Sequence, residues 1–299
     1  MTELTGTLSA RPGFKAYYEI CKPGVVTLIA LTAVVGMLLS TPGLVPWQAL
    51  VFGTLGITLA AASGAAINHV IDQRIDALMQ RTCDRPVASG QLTTLPALAF
   101  AIMLATISMM ILALLVNPLT AVLTLLSMIG YAVVYTAFLK RTTHHNTVLG
   151  GIAGAMPPLL GWTAVTGQVS LEGIILVLII FVWTPPHFWP LAIKRRKEYA
   201  RAEIPMLPVV CGVATTKRHI LYYTIALIFV SALPFAIGMS GLLYLVGALG
   251  LGAGFLSHAV RLYREPGDGH CMRTFGYSIF YLNGLFLILL VDHYARALL

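Results

Sequence analysis

Charge is scarce in this sequence. Only 30 of its 299 residues are charged, 19 basic and 11 acidic, while 58% are hydrophobic. Soluble globular domains carry roughly a quarter charged residues, so a soluble domain is excluded, and the apolar excess excludes disorder. Outer-membrane barrels give only short alternating apolar segments, which do not match the long uninterrupted runs found here. Cysteine is equally thin: Cys21, Cys83, Cys211 and Cys271 form no CxxC pair. That excludes a disulfide scaffold and leaves them as small packing or loop residues.

No Lys, Arg, Asp or Glu occurs in Pro23–Ile71, Pro86–Leu139, Thr142–Leu171, Gly173–Ile193, His219–Val260 or Thr274–Val291, runs of 49, 54, 30, 21, 42 and 18 residues. A spanning helix needs about 20 apolar residues, so the three longest runs read as helix pairs. Each has a breaker in place: Thr41-Pro42-Gly43 with Pro46, Asn117-Pro118, and Met239-Ser240-Gly241. The expected fold class is therefore all-α, a polytopic membrane protein of nine transmembrane helices. They are placed at 24–40, 47–70, 96–116, 119–139, 147–166, 173–193, 220–238, 242–261 and 275–292. The whole chain, 1–299, is read as one transmembrane domain with residues 1–20 as a cytosolic tail.

Connections after spans 1, 3, 5 and 7 contain no Lys or Arg, so 18 of the 19 basic residues, Arg11 among them, fall on one side. Basic loops stay cytosolic, which puts the N-terminus in the cytoplasm and the C-terminus outside. The first 20 residues lack a signal-peptide core and are too short and Arg-poor for a transit peptide, so a bacterial inner membrane is expected. The net charge of +8 reports this topology and not nucleic-acid binding. A transporter carries ionisable groups near the bilayer midplane; here they gather in two connections, after spans 2 and 6. A site at the membrane boundary follows, suited to a substrate with one greasy and one charged part.

The first connection spaces Asn68, Asp72 and Asp76 at i, i+4 and i+8. If span 2 continues as a helix, they share a stripe about 12 Å long. Two carboxylates and an amide oxygen are hard ligands suited to Mg²⁺ on phosphate oxygens, with Arg81 and Arg85 able to contact the phosphates. In the second connection, Pro185 and Pro186 are expected to disturb span 6, and Trp183, Phe188 and Trp189 supply aromatic surface. Glu198, among Lys194, Arg195, Arg196 and Lys197, is a candidate for a second metal, and His187 a candidate base or ligand.

Asn68-x3-Asp72-x3-Asp76 resembles the first aspartate-rich motif of the UbiA-like intramembrane prenyltransferases. Trp183-Thr-Pro-Pro-His-Phe-Trp189, Glu198-Tyr199 and Pro205-Met-Leu-Pro208 resemble the branch of that superfamily that farnesylates haem. Lys22-Pro23, Arg81-Thr82, Arg85-Pro86 and the glycine-rich run from Gly150 to Trp162 add to the likeness, which extends from about residue 15 to the C-terminus. The resemblance implies nine helices around a central cavity, with both polar motifs capping its cytosolic mouth. It implies Mg²⁺-dependent transfer of farnesyl from farnesyl diphosphate to a vinyl group of haem b. A downstream haem-modifying enzyme or terminal oxidase is then the expected consumer of the product.

The second aspartate motif common in the superfamily is replaced here by Lys194-x3-Glu198, so Lys194 is expected to neutralise diphosphate where relatives use metal. On this mechanism Asn68, Asp72, Asp76 and Glu198 are the metal ligands, and Lys22, Arg81, Arg85 and Lys194 supply positive charge. Tyr131, Tyr135 and Trp183 face the farnesyl cation, Arg195 and Arg196 meet the haem propionates, and His187 orients the haem, ligates its iron or handles a proton. Two rivals stay open: a sibling enzyme acting on an aromatic quinone precursor, and a non-catalytic transporter or haem-handling protein.

Overall fold

The computed structural model describes residues 13–298, so Arg11 and most of the tail lie outside the described residues. Among these residues there is no strand. The elements are α1 (Phe14–Ile20), α2 (Pro23–Leu39), α3 (Ala49–Ile71), α4 (Gln73–Asp76), α5 (Thr94–Leu115), α6 (Pro118–Thr142) and α7 (Asn146–Thr166). Then come α8 (Leu171–Lys194), α9 (Arg196–Arg201), α10 (Leu207–Val210), α11 (Gly212–Ala236), α12 (Leu242–Arg264) and α13 (Cys271–Leu298). Eight of these are long and apolar enough to cross a membrane; α2 makes a ninth when it is taken with α1, to which it is joined at 52°.

Two spans outrun their apolar runs. Span 7 begins at Gly212, eight residues before the expected start, and span 9 runs to Leu298. Hydropathy marks the membrane, whereas a helix continues into water while its polar groups find partners. Lys217, in the first turns of α11, is buried and donates to the Glu265 and Gly267 carbonyls, at 2.5 and 2.6 Å. At the N-terminus, α1 is a packed helix whose Ala16 and Ile20 join Ala66, Val87, Leu92 and Ala97.

The expected break at Pro185 and Pro186 does not occur: α8 is continuous through Pro185, Pro186 and Pro190. All three prolines are buried, and α8 packs on α7, α11 and α13. In a bilayer, neighbouring helices keep such a helix intact despite missing hydrogen bonds. Disturbance falls instead where no proline predicted it. The stretch Gly130–Leu139 of α6 and Ala49–Gly53 of α3 are wide π-helical turns.

Chain neighbours pack side by side into a ring: α2 on α3, α3 on α5, α5 on α6, α7 on α8, α11 on α12, and α12 on α13. The ring closes where α13 meets α2, through His293 Nε2 and the Thr41 carbonyl (2.9 Å) and Tyr294 Oη and the Leu38 carbonyl (3.1 Å). Small residues bring backbones together, because lipid offers no hydrophobic drive between helices. A Cβ on Gly36 or Gly161 would collide with the Pro158 or Ala33 carbonyl, respectively, in the α2–α7 contact. Interhelical hydrogen bonds add specificity: Ser63 to the Ala101 carbonyl (2.8 Å), Ser108 to the Gly56 carbonyl (2.6 Å) and Asn117 to the Thr163 carbonyl (2.9 Å). Asp292 on α13 accepts from the Gly241 and Tyr244 amides and so caps α12.

Inside the ring is a cavity of about 720 Å³, walled by α2, α3, α6, α7, α8 and α13. Val25, Leu28 and Leu31 of α2 and Ile279 and Leu287 of α13 line it and are also exposed. The cavity therefore opens sideways between those two helices. Lys22 lines it as well, at the end that carries the polar loops.

Candidate active site

The three oxygen-bearing residues of the first motif sit at the end of α3. Helical order lapses at Asp72 (φ −86°, ψ 2°). Yet the Asp72 amide still donates to the Asn68 carbonyl at 2.9 Å, and the Asp76 amide to the Asp72 carbonyl at 2.8 Å. The i, i+4, i+8 spacing thus survives the break, and all three residues are buried.

Each side chain has an identified partner. Asn68 Nδ2 donates to Asp72 Oδ2 at 2.8 Å and to Thr136 Oγ1 at 3.3 Å. That turns Oδ1 outward, where it accepts from Lys22 Nζ. Lys22 sits between α1 and α2 in the left-handed region (φ 51°, ψ 62°), unusual for a residue with a Cβ. Asp76 Oδ2 accepts from Arg85 Nη1 at 2.7 Å, and the Thr82 hydroxyl, donating to the Asp76 carbonyl at 3.0 Å, ties down the turn between them.

Sequence reasoning missed two cations. Lys140 Nζ lies 2.5 Å from Asp72 Oδ2, and Arg141 Nη2 lies 3.7 Å from Asp72 Oδ1. The only sequence signal was a basic pair closing span 4 in a loop with no acid. The π-helical end of α6 delivers Thr136, Lys140 and Arg141 together. His69 was also missed: it is buried with both ring nitrogens unpartnered among the described residues. Three cations, Arg85, Lys140 and Arg141, thus meet two carboxylates, with Lys22 on the Asn68 amide oxygen beside them, so basic residues outnumber acids at the cavity mouth.

The second connection folds over the first. Met79 packs with Ala192, Tyr199, Ala202, Ile204 and Met206 in one buried cluster. Arg81, Arg195 and Glu198 surround Tyr199; burial pushes its hydroxyl pKa up, and the two arginines oppose that. Glu198 Oε2 is buried without a partner. The structure does not bring Lys194 and Arg196 to the aspartates. Both pair with Asp268 in the α12–α13 loop, at 3.5 and 3.0 Å. The hydrogen bond from Arg196, with Lys194 beside it, holds the Asp268 carboxyl below its usual range. An acid on a neighbouring loop has taken up Lys194, which was expected to face diphosphate, and Arg196, which was expected to meet the haem propionates.

Tyr131, Trp183 and His187 line the cavity. Tyr135 does not; it stacks behind Tyr131 at 6.0 Å, against Gly150. Among the described residues no three His, Cys, Asp or Glu side chains form a ready-made metal cluster. The oxygen set nevertheless fits a hard cation. Asp72 Oδ1 is buried without a hydrogen bond, a costly state that a cation relieves. The side chains whose oxygens could hold such a cation are Asn68, Asp72 and Asp76; Glu198 packs in the second connection.

An apolar cavity inside a helical bundle, opening to lipid and headed by cations and carboxylates, defines an integral-membrane protein that handles an amphipathic anion. The chain belongs to the UbiA prenyltransferase family, whose profile matches residues 29–285. It is 62% identical to a protoheme IX farnesyltransferase of Thioalkalivibrio sulfidiphilus, over 100% of this chain and 99% of that protein. It is 58% identical to one of Nitrosococcus oceani, over 98% of each. A digeranylgeranylglyceryl phosphate synthase has the same fold, with TM-score 0.81 at 17% identity over 94% of this chain and 98% of that one. So does a UbiA homolog from Archaeoglobus fulgidus bound to GPP and Mg²⁺, with TM-score 0.63 at 16% identity over 92% and 99%.

Proposed function

We propose that this protein transfers the farnesyl group of farnesyl diphosphate to a vinyl group of haem b, giving haem O. The observation that carries the reading is the cavity mouth, where Lys22 belongs both to the apolar cavity wall and to the cation–carboxylate cluster. A prenyl diphosphate has the matching form, with an anionic head and a long apolar tail. The choice of haem b over other acceptors rests on the protoheme IX farnesyltransferases that match nearly the whole chain.

In this reading Asn68, Asp72 and Asp76 hold Mg²⁺ at the diphosphate. Bound there, Mg²⁺ supplies positive charge against the leaving group. Lys22, Arg85 and Lys140, which pair with the three motif side chains, add positive charge at the same place, and Arg81, near Tyr199, is a further cation of the mouth. Negative charge grows on the diphosphate as the allylic C–O bond breaks, so fixed cations stabilise that transition state more than the ground state. Tyr131 and Trp183 present ring faces to the allylic cation, and the apolar walls keep water out until the vinyl carbon attacks. Water then adds to the carbon beside the porphyrin. The polar mouth faces the cytoplasm of a bacterial inner membrane, with the N-terminus on that side and the C-terminus outside. Incubating the purified protein with farnesyl diphosphate, Mg²⁺ and either haem b or 4-hydroxybenzoate tests the acceptor. Product from haem b alone is expected; product from the phenol alone would transfer the assignment to a quinone pathway.

A further inference from the structure

His187 is held more firmly than a cavity-lining residue requires. Trp183, one turn earlier on α8, stacks on its ring at 4.1 Å and 14°, and Phe275 of α13 stacks at 4.7 Å and 25°. Trp183 is itself anchored, its indole N–H donating to the Ser278 carbonyl at 2.8 Å. The ring's Nδ1 lies 2.7 Å from Ser278 Oγ.

The same hydroxyl fixes where the imidazole proton sits. Ser278 Oγ is 2.6 Å from the Phe275 carbonyl oxygen. A carbonyl oxygen only accepts, and a hydroxyl has one proton to give. That proton must lie between the two oxygens, or they would face each other bare at 2.6 Å. Ser278 Oγ therefore accepts from Nδ1–H. In the neutral ring Nε2 then carries a lone pair and no proton. Nε2 has no hydrogen-bond partner among the described residues, and it is not one of the unpartnered polar atoms sealed in the packing. His187 lines the cavity, and an Nε2 left accessible there opens onto it.

An imidazole with one nitrogen held as a donor and the other left as a bare lone pair is the arrangement of metal-ligating histidines. We propose that His187 Nε2 is the protein ligand to the iron of haem b; the inference rests on the reading of haem b as the acceptor. Ligation sets the porphyrin plane across the Fe–Nε2 axis. It fixes the vinyl edge in the same cavity whose mouth carries Lys22. Ser278 acts through His187 as a positioning residue. The clamp of Trp183 and Phe275 prevents the ring from turning its lone pair away.

The test is haem b titrated into the purified protein in nanodiscs, read by absorption and by resonance Raman of the ferrous form. The wild type is expected to show an iron–histidine stretch. His187→Ala is expected to lose it, and added imidazole to restore it, which a merely unfolded variant would not allow. Ser278→Ala keeps the ligand but frees the tautomer, and is expected to bind haem about tenfold more weakly. An unchanged spectrum and affinity in His187→Ala, or no recovery with imidazole, would overturn the ligation. A wild type that farnesylates haem without an iron–histidine band overturns ligation alone. A wild type that neither binds nor modifies haem overturns the acceptor reading with it.

Discussion

Asp72 takes more partners than any other acid in the mouth. One oxygen accepts from Asn68 and Lys140, while the other is buried and has only Arg141 at 3.7 Å. Replacing Asp72 or Asp76 by alanine should lower turnover by about 100-fold or more, the scale of a lost charge-stabilising group. Asp72→Glu should retain part of the activity, because ligand chemistry survives and only reach changes. Product assays on protein that remains monodisperse check this; near-normal turnover in Asp72→Ala would remove the metal assignment. Lys140→Met should do something different. It leaves the buried Asp72 carboxylate with only Asn68 and a more distant Arg141, and should cost about 3 kcal/mol, the lower end for breaking a buried pair. Lys140→Met with Asp72→Asn should regain most of that stability without regaining activity, as thermal unfolding and turnover would separately show. The aspartates were legible in the sequence because their partners in the stripe lie one turn away. Lys140 was not, because it stands 68 residues from Asp72 and only the fold joins them.

At the level of single helices, hydropathy located the spans well and helix ends poorly. Thr94–Leu115 and Asn146–Thr166 lie within two residues of expectation, since turn residues and apolar limits coincide there. The early start of α11 was hidden because Lys217 and Arg218 ended the apolar run although the helix continues through them. Prolines misled for a related reason: their local cost in α8 is overridden by burial against three helices. Of the four glycines of α12, three sit at close helix contacts. A Cβ would meet Ile288 at Gly247, Ile228 at Gly252 and the Tyr277 hydroxyl at Gly254, whereas Gly250 meets nothing. The firmest contact of this kind is Gly161 against the Ala33 backbone. Gly161→Ala should destabilise by about 1–3 kcal/mol, the usual cost of overpacking, and lower the unfolding temperature in detergent. Gly250→Ala should leave it unchanged; equal shifts in both would contradict the packing account.

For the molecule as a whole, the one-sided distribution of basic residues and the two polar connections already outlined a bundle with a site at one end. The arrangement of the helices around a central cavity came from the resemblance and not from any local pattern. Its seam depends on His293 and Tyr294 reaching carbonyls at the end of α2 and just beyond it, more than 250 residues away, bonds that no local pattern announces. The capping of the mouth by both connections was likewise expected only from the resemblance, and its contacts were hidden, since Met79 and Tyr199 meet only after α8 has crossed back. The orientation is open to direct measurement in a background with the four cysteines replaced. Pro266→Cys should react with an impermeant thiol reagent only from the cytosolic side, and Gln168→Cys only from the outside. The reverse pattern would invert the assignment of the polar mouth. The most direct test of the central claim is the mass of haem extracted after the purified protein has been incubated with haem b, farnesyl diphosphate and Mg²⁺. The predicted product is heavier by one farnesyl group and one hydroxyl, and falls by about 100-fold or more with Asp72→Ala. Unmodified haem from active, folded protein that prenylates another acceptor would contradict it.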